Sequence, residues 1–188
     1  MAELFYVIGA SGVGKDSLLR YAREHLPAGA PLVFAHRYIT RAADAGGENH
    51  VALSADEFHT RSEHGLFAIQ WHSHQTCYGI GIEIEQWLAK GISVVLNGSR
   101  AYLPEAASRY PQLVPVLIRA DAETLRERLL ARGREDAQAI EQRLAQAAIL
   151  DEATRHPRLL RINNEGELSV AGEQLLQRLL GEQPHACA

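Results

Sequence analysis

The chain has 188 residues, of which 46% are hydrophobic and 22% are charged, and its net charge at pH 7 is -4. This length suffices for one well-packed domain and falls short of two ordinary ones, so we expect a single globular domain. The negative net charge excludes a general attraction to nucleic acid or anionic lipid, so any anion-binding site must be a local positive cluster.

Cysteine usage and apolar run lengths indicate the expected location of the protein. The two cysteines, Cys77 and Cys187, do not form a disulfide framework, and no apolar export segment is recognisable. The longest apolar runs, such as 113–118, are far shorter than a membrane span. We therefore expect a cytoplasmic protein with no membrane or nucleic-acid partner, and its oligomeric state, a homodimer included, stays open.

The predicted elements alternate between strands and helices along the chain. Short apolar runs that end at glycine or at polar residues predict buried strands, and apolar residues at helical spacing predict helices. In chain order we expect strand 4–8, helix 15–25, strand 33–35, a loop at 41–49, a short helix capped by Ser54 and Glu57 and ended by Gly65, strand 66–71, helix 80–90, strand 92–96 followed by a helical pattern, strand 114–118, helix 121–131, helix 137–154, strand 159–162 and helix 168–180. This alternation predicts a parallel sheet covered by helices on both faces.

The segment GASGVGKDS lies between the first strand and the first helix. Its spacing of Gly9, four residues, Gly14 and Lys15 matches a phosphate-binding loop, in which backbone N–H groups and a helix N-terminus surround phosphate oxygens. Lys15 would reach the β- and γ-phosphates of ATP. The predicted ATP phosphate-binding residues in this loop are Gly9, Ala10, Ser11, Gly12, Val13, Gly14, Lys15, Asp16 and Ser17.

Asp16 stands where such a loop usually has a serine or threonine that binds Mg²⁺. A carboxylate is a stronger oxygen ligand for the same cation, so Asp16 is predicted to face Mg²⁺ directly or through water. Ser17 would supply the hydroxyl only if the loop were shifted by one residue. The alternative is that Asp16 only stabilises the helix N-terminus.

Behind this loop, seven segments occur in the order and near the spacing of elements of the guanylate kinase family: YITR, GGENH, FAIQW, CYG, VVLNGSR, RLLARGRE and IEQRL. The chain therefore resembles that family over most of its length. The resemblance implies an α/β P-loop nucleoside-monophosphate-kinase fold, with a five-stranded parallel sheet and helices on both faces. It further implies one domain at 1–181 with a core at 1–36 and 80–181, an acceptor-binding insertion at about 37–79 and an arginine lid at about 132–136, followed by a disordered tail at 182–188.

Several positions depart from the family pattern in the acceptor pocket. Gln70 replaces a glutamate that accepts two hydrogen bonds from guanine, and an amide has one accepting oxygen only. Arg37 replaces a base-contacting serine, and Ser99, beside Arg100, lies near the place of a base-contacting aspartate. A pocket that loses carboxylates and gains arginine favours a second anion over guanine.

Other acceptor contacts of the family persist in part. Arg41 and Tyr78 match two phosphate-binding positions of the family. His50 lies at the position where the family has a phosphate-binding tyrosine. The family's second arginine is missing, and Asp44 lies near its place. With GKDS and NGSR, these features resemble the ribose 1,5-bisphosphate phosphokinases, guanylate-kinase-like enzymes of phosphonate breakdown. The resemblance implies transfer of the ATP γ-phosphoryl group to the 1-phosphate of ribose 1,5-bisphosphate, giving 5-phosphoribosyl 1-diphosphate, with ATP and Mg²⁺ as cofactors. The predicted acceptor-binding residues are Arg37, Arg41, His50, Gln70, Tyr78, Ser99 and Arg100.

The arginines of the lid region are predicted to neutralise charge during phosphoryl transfer. Lys15, Arg132 and Arg143 are the predicted catalytic residues, Arg132 and Arg134 are predicted to bind ATP phosphates, and Arg128 is a reserve candidate. Each of these arginines could instead be a solvated surface residue. The other functions considered are a kinase of another phosphorylated small molecule, guanylate included, and a non-catalytic guanylate-kinase-like module that binds phosphopeptides.

The remaining candidates are weaker. His72 and His74 have no third ligand nearby in sequence for a zinc site. Trp71, Trp87 and Cys77 are predicted to be core residues. Asn163 and Asn164 could contact adenine or form a turn.

Overall fold

The structure is a computed structural model that describes residues 2–43, 50–73, 75–133 and 136–181. The predictions for Asp44, His74, Arg134 and the tail 182–188 lie outside these residues. The strands are β1 (Leu4–Gly9), β2 (Leu32–Phe34), β3 (Arg37–Ile39), β4 (Val51–Ala52), β5 (Phe67–Ser73), β6 (Thr76–Gly81), β7 (Ser93–Asn97), β8 (Leu113–Arg119) and β9 (Leu160–Asn163). The helices are α1 (Lys15–Glu24), α2 (Ala55–Glu63), α3 (Glu83–Ala89), α4 (Leu103–Arg109), α5 (Ala122–Arg132), α6 (Ala137–Ala153) and α7 (Leu168–Leu179).

A five-stranded parallel sheet with the order β2-β7-β1-β8-β9 confirms the predicted sheet. Its central strand β1 is buried from Leu4 to Ile8, as expected for a parallel strand that is covered on both faces. None of the helices within the described residues is long and apolar enough to cross a membrane.

A second sheet, with the order β4-β3-β6-β5, was not predicted from the sequence. Strand β6 pairs antiparallel with both β3 and β5, and it places Ile80 opposite Arg37. The predicted start of a helix at residue 80 is therefore wrong, because Ile80 and Gly81 end β6 and α3 begins at Glu83. Pairing with two neighbouring strands outweighs the helical spacing of apolar residues in this segment.

The chain divides into two compact units. Unit 1 comprises residues 1–6 and 31–113, and unit 2 comprises residues 7–30 and 114–188. The four strands of the second sheet, which span 37–81, all belong to unit 1. The predicted division into a core, an insertion and a lid stays a prediction.

In unit 1, one face of the second sheet packs on an apolar cluster. Leu53, Phe58 and Phe67 form the cluster, and Tyr38 and Cys77 pack against it. The serine that was predicted to cap α2 does so, since the Ser54 hydroxyl accepts a hydrogen bond from the Glu57 N–H at 3.1 Å. This cap fixes the start of the helix that carries Phe58.

In unit 2, helix starts and helix packing follow local signals. Asp121 and Asp136 cap α5 and α6 through hydrogen bonds that their carboxylates accept from backbone N–H groups. Helix α7 packs on α1 where Gly172 meets the ring of Tyr21, and a side chain at 172 would collide with that ring. These contacts hold α1, the helix that follows the phosphate-binding motif.

Candidate functional site

The glycine-rich motif joins β1 to α1 in unit 2, as the sequence predicts. Gly14 is the residue before the helix, and its φ of 94° and ψ of 17° lie in the left-handed region. A Cβ at Gly14 would also collide with the side-chain amide of Asn164. Glycine is therefore required at this position by backbone conformation and by packing.

Lys15 lies at the first position of α1 and folds back over the loop. Its ammonium donates hydrogen bonds to the carbonyl oxygens of Gly9 at 2.9 Å and Ala10 at 3.1 Å. These bonds hold the positive charge against the loop, where the motif predicts that phosphates bind. The side chain of Asp16 is exposed in the first turn of the helix, and Ser17 is half-buried.

Two side chains from other elements fix the shape of the loop at Val13. The Asn164 amide nitrogen donates to the Val13 carbonyl oxygen at 2.8 Å, and Arg128, on α5, donates to the same oxygen at 3.2 Å. Asn164 is 3% exposed, and its own backbone N–H donates to Arg119 at 2.7 Å. The sequence suggested an adenine contact or a turn for Asn164, and neither includes this hydrogen bond to the loop. The neighbouring Asn163 is exposed.

A cavity of about 340 Å³ lies beside the loop in unit 2. Arg128 and Arg132 supply two positive charges to its wall, and no carboxylate is among the described residues that line it. Such a wall suits an anionic ligand. The lining residues are Gly12, Gly14, Ser17, Arg128, Ala131, Arg132, Asn164, Gly166 and Leu168.

The structure therefore brings some predicted donor-side residues together and leaves others apart. Ser17 and Arg132 line the 340 Å³ cavity with the reserve candidate Arg128, while Asp16 and Arg143 are not among its lining residues. A second cavity in unit 2, of about 180 Å³, has Asp121, Asp151 and Glu152 in its wall together with Arg119. Its surplus of carboxylates makes it unsuited to phosphate.

In unit 1, an arginine and three aromatic rings meet on one face of the second sheet. The Arg37 guanidinium carbon lies 5.0 Å from the Tyr78 ring centroid and 6.0 Å from that of Trp71. The Trp71 ring stacks on Tyr78 with centroids 5.3 Å apart and an interplanar angle of 4°, and its centroid lies 6.4 Å from that of Tyr102. The faces of such aromatic rings attract a cation, so these contacts favour a fixed position of the Arg37 guanidinium.

Arg41 and His50 lie together at the other predicted phosphate contact. The His50 ring is buried, and its Nε2 atom donates to the Arg41 carbonyl oxygen at 3.2 Å. The Nε atom of Arg41 is buried and has no hydrogen-bond partner among the residues that the structure describes. A buried guanidinium N–H normally has an acceptor, which makes Arg41 a candidate for contact with an anionic ligand.

The structure does not bring Gln70 together with Arg37 and Tyr78. Gln70 pairs with Gly79, and Tyr78 pairs with Trp71. Successive side chains of a strand point to opposite faces, so Gln70 lies on the face opposite the rings, and it is exposed. Its role in acceptor binding stays a prediction.

Sequence reasoning missed two residues of this face. Trp71 is buried, which confirms its predicted place in the core, but its stacking on Tyr78 was not predicted from the sequence. Tyr102 lies in the segment after β7, and no pattern in the sequence connects it with Trp71.

Ser99 and Arg100, both half-buried, follow β7 in unit 1. The Tyr6 hydroxyl donates to the Ser99 carbonyl oxygen at 3.1 Å and accepts from the Ser99 N–H at 3.0 Å. Burial raises the pKa of Tyr6 well above its ordinary value. Sequence reasoning treated Tyr6 only as one residue of an apolar strand.

No group of three or more histidine, cysteine, aspartate or glutamate side chains that could hold a metal ion occurs among the described residues. His72 is exposed, and Cys77 packs beside the apolar cluster at Phe67. The protein ligands described here thus do not form a metal site by themselves.

Comparisons with known proteins agree with the predicted fold. Residues 6–148 match a family model described as an AAA domain. A guanylate kinase from Anaplasma phagocytophilum matches with a TM-score of 0.69 at 20% identity, over 99% of this chain and 88% of that one. This structural similarity confirms the nucleoside-monophosphate-kinase type of fold.

Curated sequences give a more specific relationship. The protein named ribose 1,5-bisphosphate phosphokinase PhnN from Thiobacillus denitrificans is 57% identical over 94% of this chain and 92% of its own length. Proteins with the same name from Psychromonas ingrahamii and Desulfomicrobium baculatum are each 54% identical, over 94% and 96% of this chain and 89% and 95% of theirs.

Proposed function

Because the chain belongs to the ribose 1,5-bisphosphate phosphokinase family, we propose that it transfers the γ-phosphoryl group of ATP to the 1-phosphate of ribose 1,5-bisphosphate. The products would be 5-phosphoribosyl 1-diphosphate and ADP. Unit 2 would bind the nucleotide and unit 1 the acceptor.

The observation that carries the proposal is the position of Arg37. Its guanidinium is stacked against Tyr78 and near Trp71, so its orientation is fixed before any ligand binds. The buried Nε of Arg41 supplies a second positive group in the same unit. Two arginines suit an acceptor that carries two phosphates, and Gln70 on the opposite face gives guanine no carboxylate to bind.

The donor side is supported by the loop and by the 340 Å³ cavity. Lys15 is already held on the loop by two carbonyl oxygens, and the wall of the cavity carries Arg128 and Arg132. Backbone N–H groups at a helix N-terminus together with these cations form a site for the phosphates of ATP. Leu168 gives the same cavity an apolar patch that suits the nucleotide base.

Magnesium fits this site as a partner of ATP. The exposed Asp16 carboxylate and the Ser17 hydroxyl are oxygen donors, which Mg²⁺ prefers, and this cation is commonly held by one carboxylate together with substrate phosphates. Bound there, it would neutralise charge on the β- and γ-phosphates. Asp16 is the proposed ligand, either directly or through water.

The chemistry needs no general base. An oxygen of the 1-phosphate, already anionic, attacks the γ-phosphorus of ATP, a new P–O bond forms, and the bond to the leaving ADP oxygen breaks. The protein has to position both groups and neutralise their charge. We assign charge neutralisation to Lys15, Arg132 and Arg143.

The test is turnover of ATP measured with ribose 1,5-bisphosphate and with GMP in parallel, with 5-phosphoribosyl 1-diphosphate identified as the product. We expect turnover with the first acceptor only. Preference for GMP would overturn the proposal in favour of a guanylate kinase, and no turnover with either acceptor would favour a non-catalytic binding module.

The contribution of Arg37 can be isolated with a matched control. Arg61 also lies 5.0 Å from a tyrosine ring, that of Tyr38, but on helix α2, where it pairs with Glu57. Arg37→Gln should raise the KM for the acceptor at least tenfold, while Arg61→Gln should leave it unchanged. Equal effects of the two substitutions would contradict the role of Arg37.

A further inference from the structure

Strand β1 carries one polar side chain inside an otherwise apolar run. Leu4, Phe5, Val7 and Ile8 are buried with it, and the Tyr6 side chain is fully buried as well. A buried hydroxyl is costly unless it is hydrogen-bonded, so the presence of tyrosine here requires a specific partner.

That partner is the backbone of Ser99. The Tyr6 hydroxyl donates to the Ser99 carbonyl oxygen at 3.1 Å and accepts from the Ser99 N–H at 3.0 Å. One hydroxyl thus binds both backbone groups of a single residue. The orientation of the loop formed by residues 97–100 is fixed relative to β1 by this pair of bonds.

Gly98 makes the contact sterically possible. A Cβ at this position would collide with three atoms of the Tyr6 ring. The sequence Asn97-Gly98-Ser99-Arg100 therefore contains a glycine where the ring packs, followed by the serine that the hydroxyl binds.

Tyr6 also lies close to the aromatic face described above. Arg37 and Tyr102 are near enough to influence its ionisation, although burial is the main cause of its raised pKa. Tyr6, the 97–100 loop and Arg37 all belong to unit 1.

We propose that Tyr6 is a positioning residue for acceptor binding, which holds the 97–100 loop so that Ser99 and Arg100 meet the acceptor. This inference rests on the proposed function of unit 1 as the acceptor-binding part. Tyr6 does not touch the acceptor itself, because its side chain is fully buried.

Tyr6→Phe tests this role, because it keeps the ring and removes both hydrogen bonds. We expect the KM for ribose 1,5-bisphosphate to rise about tenfold, with kcat and the KM for ATP changing less than twofold. Gly98→Ala should raise the same KM, since its methyl group displaces the loop from the ring.

Tyr110→Phe is the matched control. Tyr110 is also a buried tyrosine of unit 1, and its hydroxyl donates to the Glu85 side chain at 2.9 Å rather than to the backbone of Ser99. Tyr110→Phe should lower the melting temperature, as Tyr6→Phe does, but it should leave the KM for the acceptor unchanged.

The outcomes separate the two claims. If the wild-type protein turns over the acceptor and Tyr6→Phe changes only the melting temperature, the positioning role is wrong while the proposed function stands. Equal rises of the acceptor KM in Tyr6→Phe and Tyr110→Phe would also overturn it. Wild-type protein without turnover would overturn the proposed function and, with it, this inference.

Discussion

Removing both hydrogen-bond donors that converge on the Val13 carbonyl should cost more stability than the two single substitutions predict. Asn164 donates to this oxygen at 2.8 Å and Arg128 donates to it at 3.2 Å, and Val13 is 1% exposed. Because the oxygen keeps one partner in each single variant, Asn164→Ala and Arg128→Ala should each lose about the net value of one hydrogen bond, roughly 1 kcal/mol.

The double variant leaves a buried carbonyl oxygen without either donor. An unsatisfied buried acceptor bears a desolvation penalty of about 1–3 kcal/mol, which neither single variant incurs because each keeps one donor. The change in unfolding free energy of the double variant should therefore exceed the sum of the single changes by about 1 kcal/mol or more, which is a coupling expected only between residues that share a partner.

Urea unfolding of the wild type and the three variants measures this coupling, and the KM for ATP shows whether the loop has changed shape. Asn163→Ala is the control, because Asn163 adjoins Asn164 but is exposed. We expect no change from it. Additivity of the two single substitutions within about 0.5 kcal/mol would refute the reasoning that both donors satisfy one buried oxygen.

Three further substitutions test other features of the nucleotide side. Asp16→Ala should raise the Mg²⁺ concentration needed for half-maximal activity, and an unchanged requirement would contradict a role of Asp16 in binding the cation. Gly14→Ala should lower stability by at least about 1 kcal/mol, since φ is 94° and the added methyl group meets Asn164; unfolding in urea measures it, and an unchanged midpoint would contradict the packing. Hydrogen bonds from the start of α5, Thr124 first, hold the pKa of Asp121 below its ordinary range, so its carboxylate stabilises the fold at neutral pH and loses that effect as pH falls through the folded-state pKa. Asp121→Ala should therefore lower the melting temperature at pH 7 and by less in acid, and a difference from wild type that does not shrink in acid would refute this.

The parts of the fold that the sequence predicts are those with local signals. The run from Leu4 to Ile8 is apolar because a central parallel strand is covered on both faces, and Gly14 follows it where the helix begins. Ser54 and Asp121 both cap helices as their sequence context indicates. Each of these features depends on residues that are close together in the chain.

The parts that it does not predict depend on pairing between distant residues. Arg37 and Ile80 are 43 residues apart in the chain yet face each other in the second sheet. Ile80 fits a helical pattern with Ile84 and Trp87, and the strand becomes visible only when its partners are known. Register therefore decides which side chains share a face: Gln70 and Tyr78 lie on opposite faces in the observed register, and a shift of one residue would place them on the same face.

This register also shows how a protein with a net charge of -4 can have a local positive cluster at the proposed acceptor site. Three surface arginines, Arg61, Arg109 and Arg126, are paired with glutamates. Arg37 lies over two aromatic rings, and a guanidinium in contact with a ring face can still donate hydrogen bonds from its N–H groups. Stacking and anion binding are therefore compatible for the same side chain. Trp71 and Tyr78 lie on the same face of the second sheet as the Arg37 guanidinium. Replacing Gln70 with glutamate would add a carboxylate on the other face, so it would not by itself restore a guanine site.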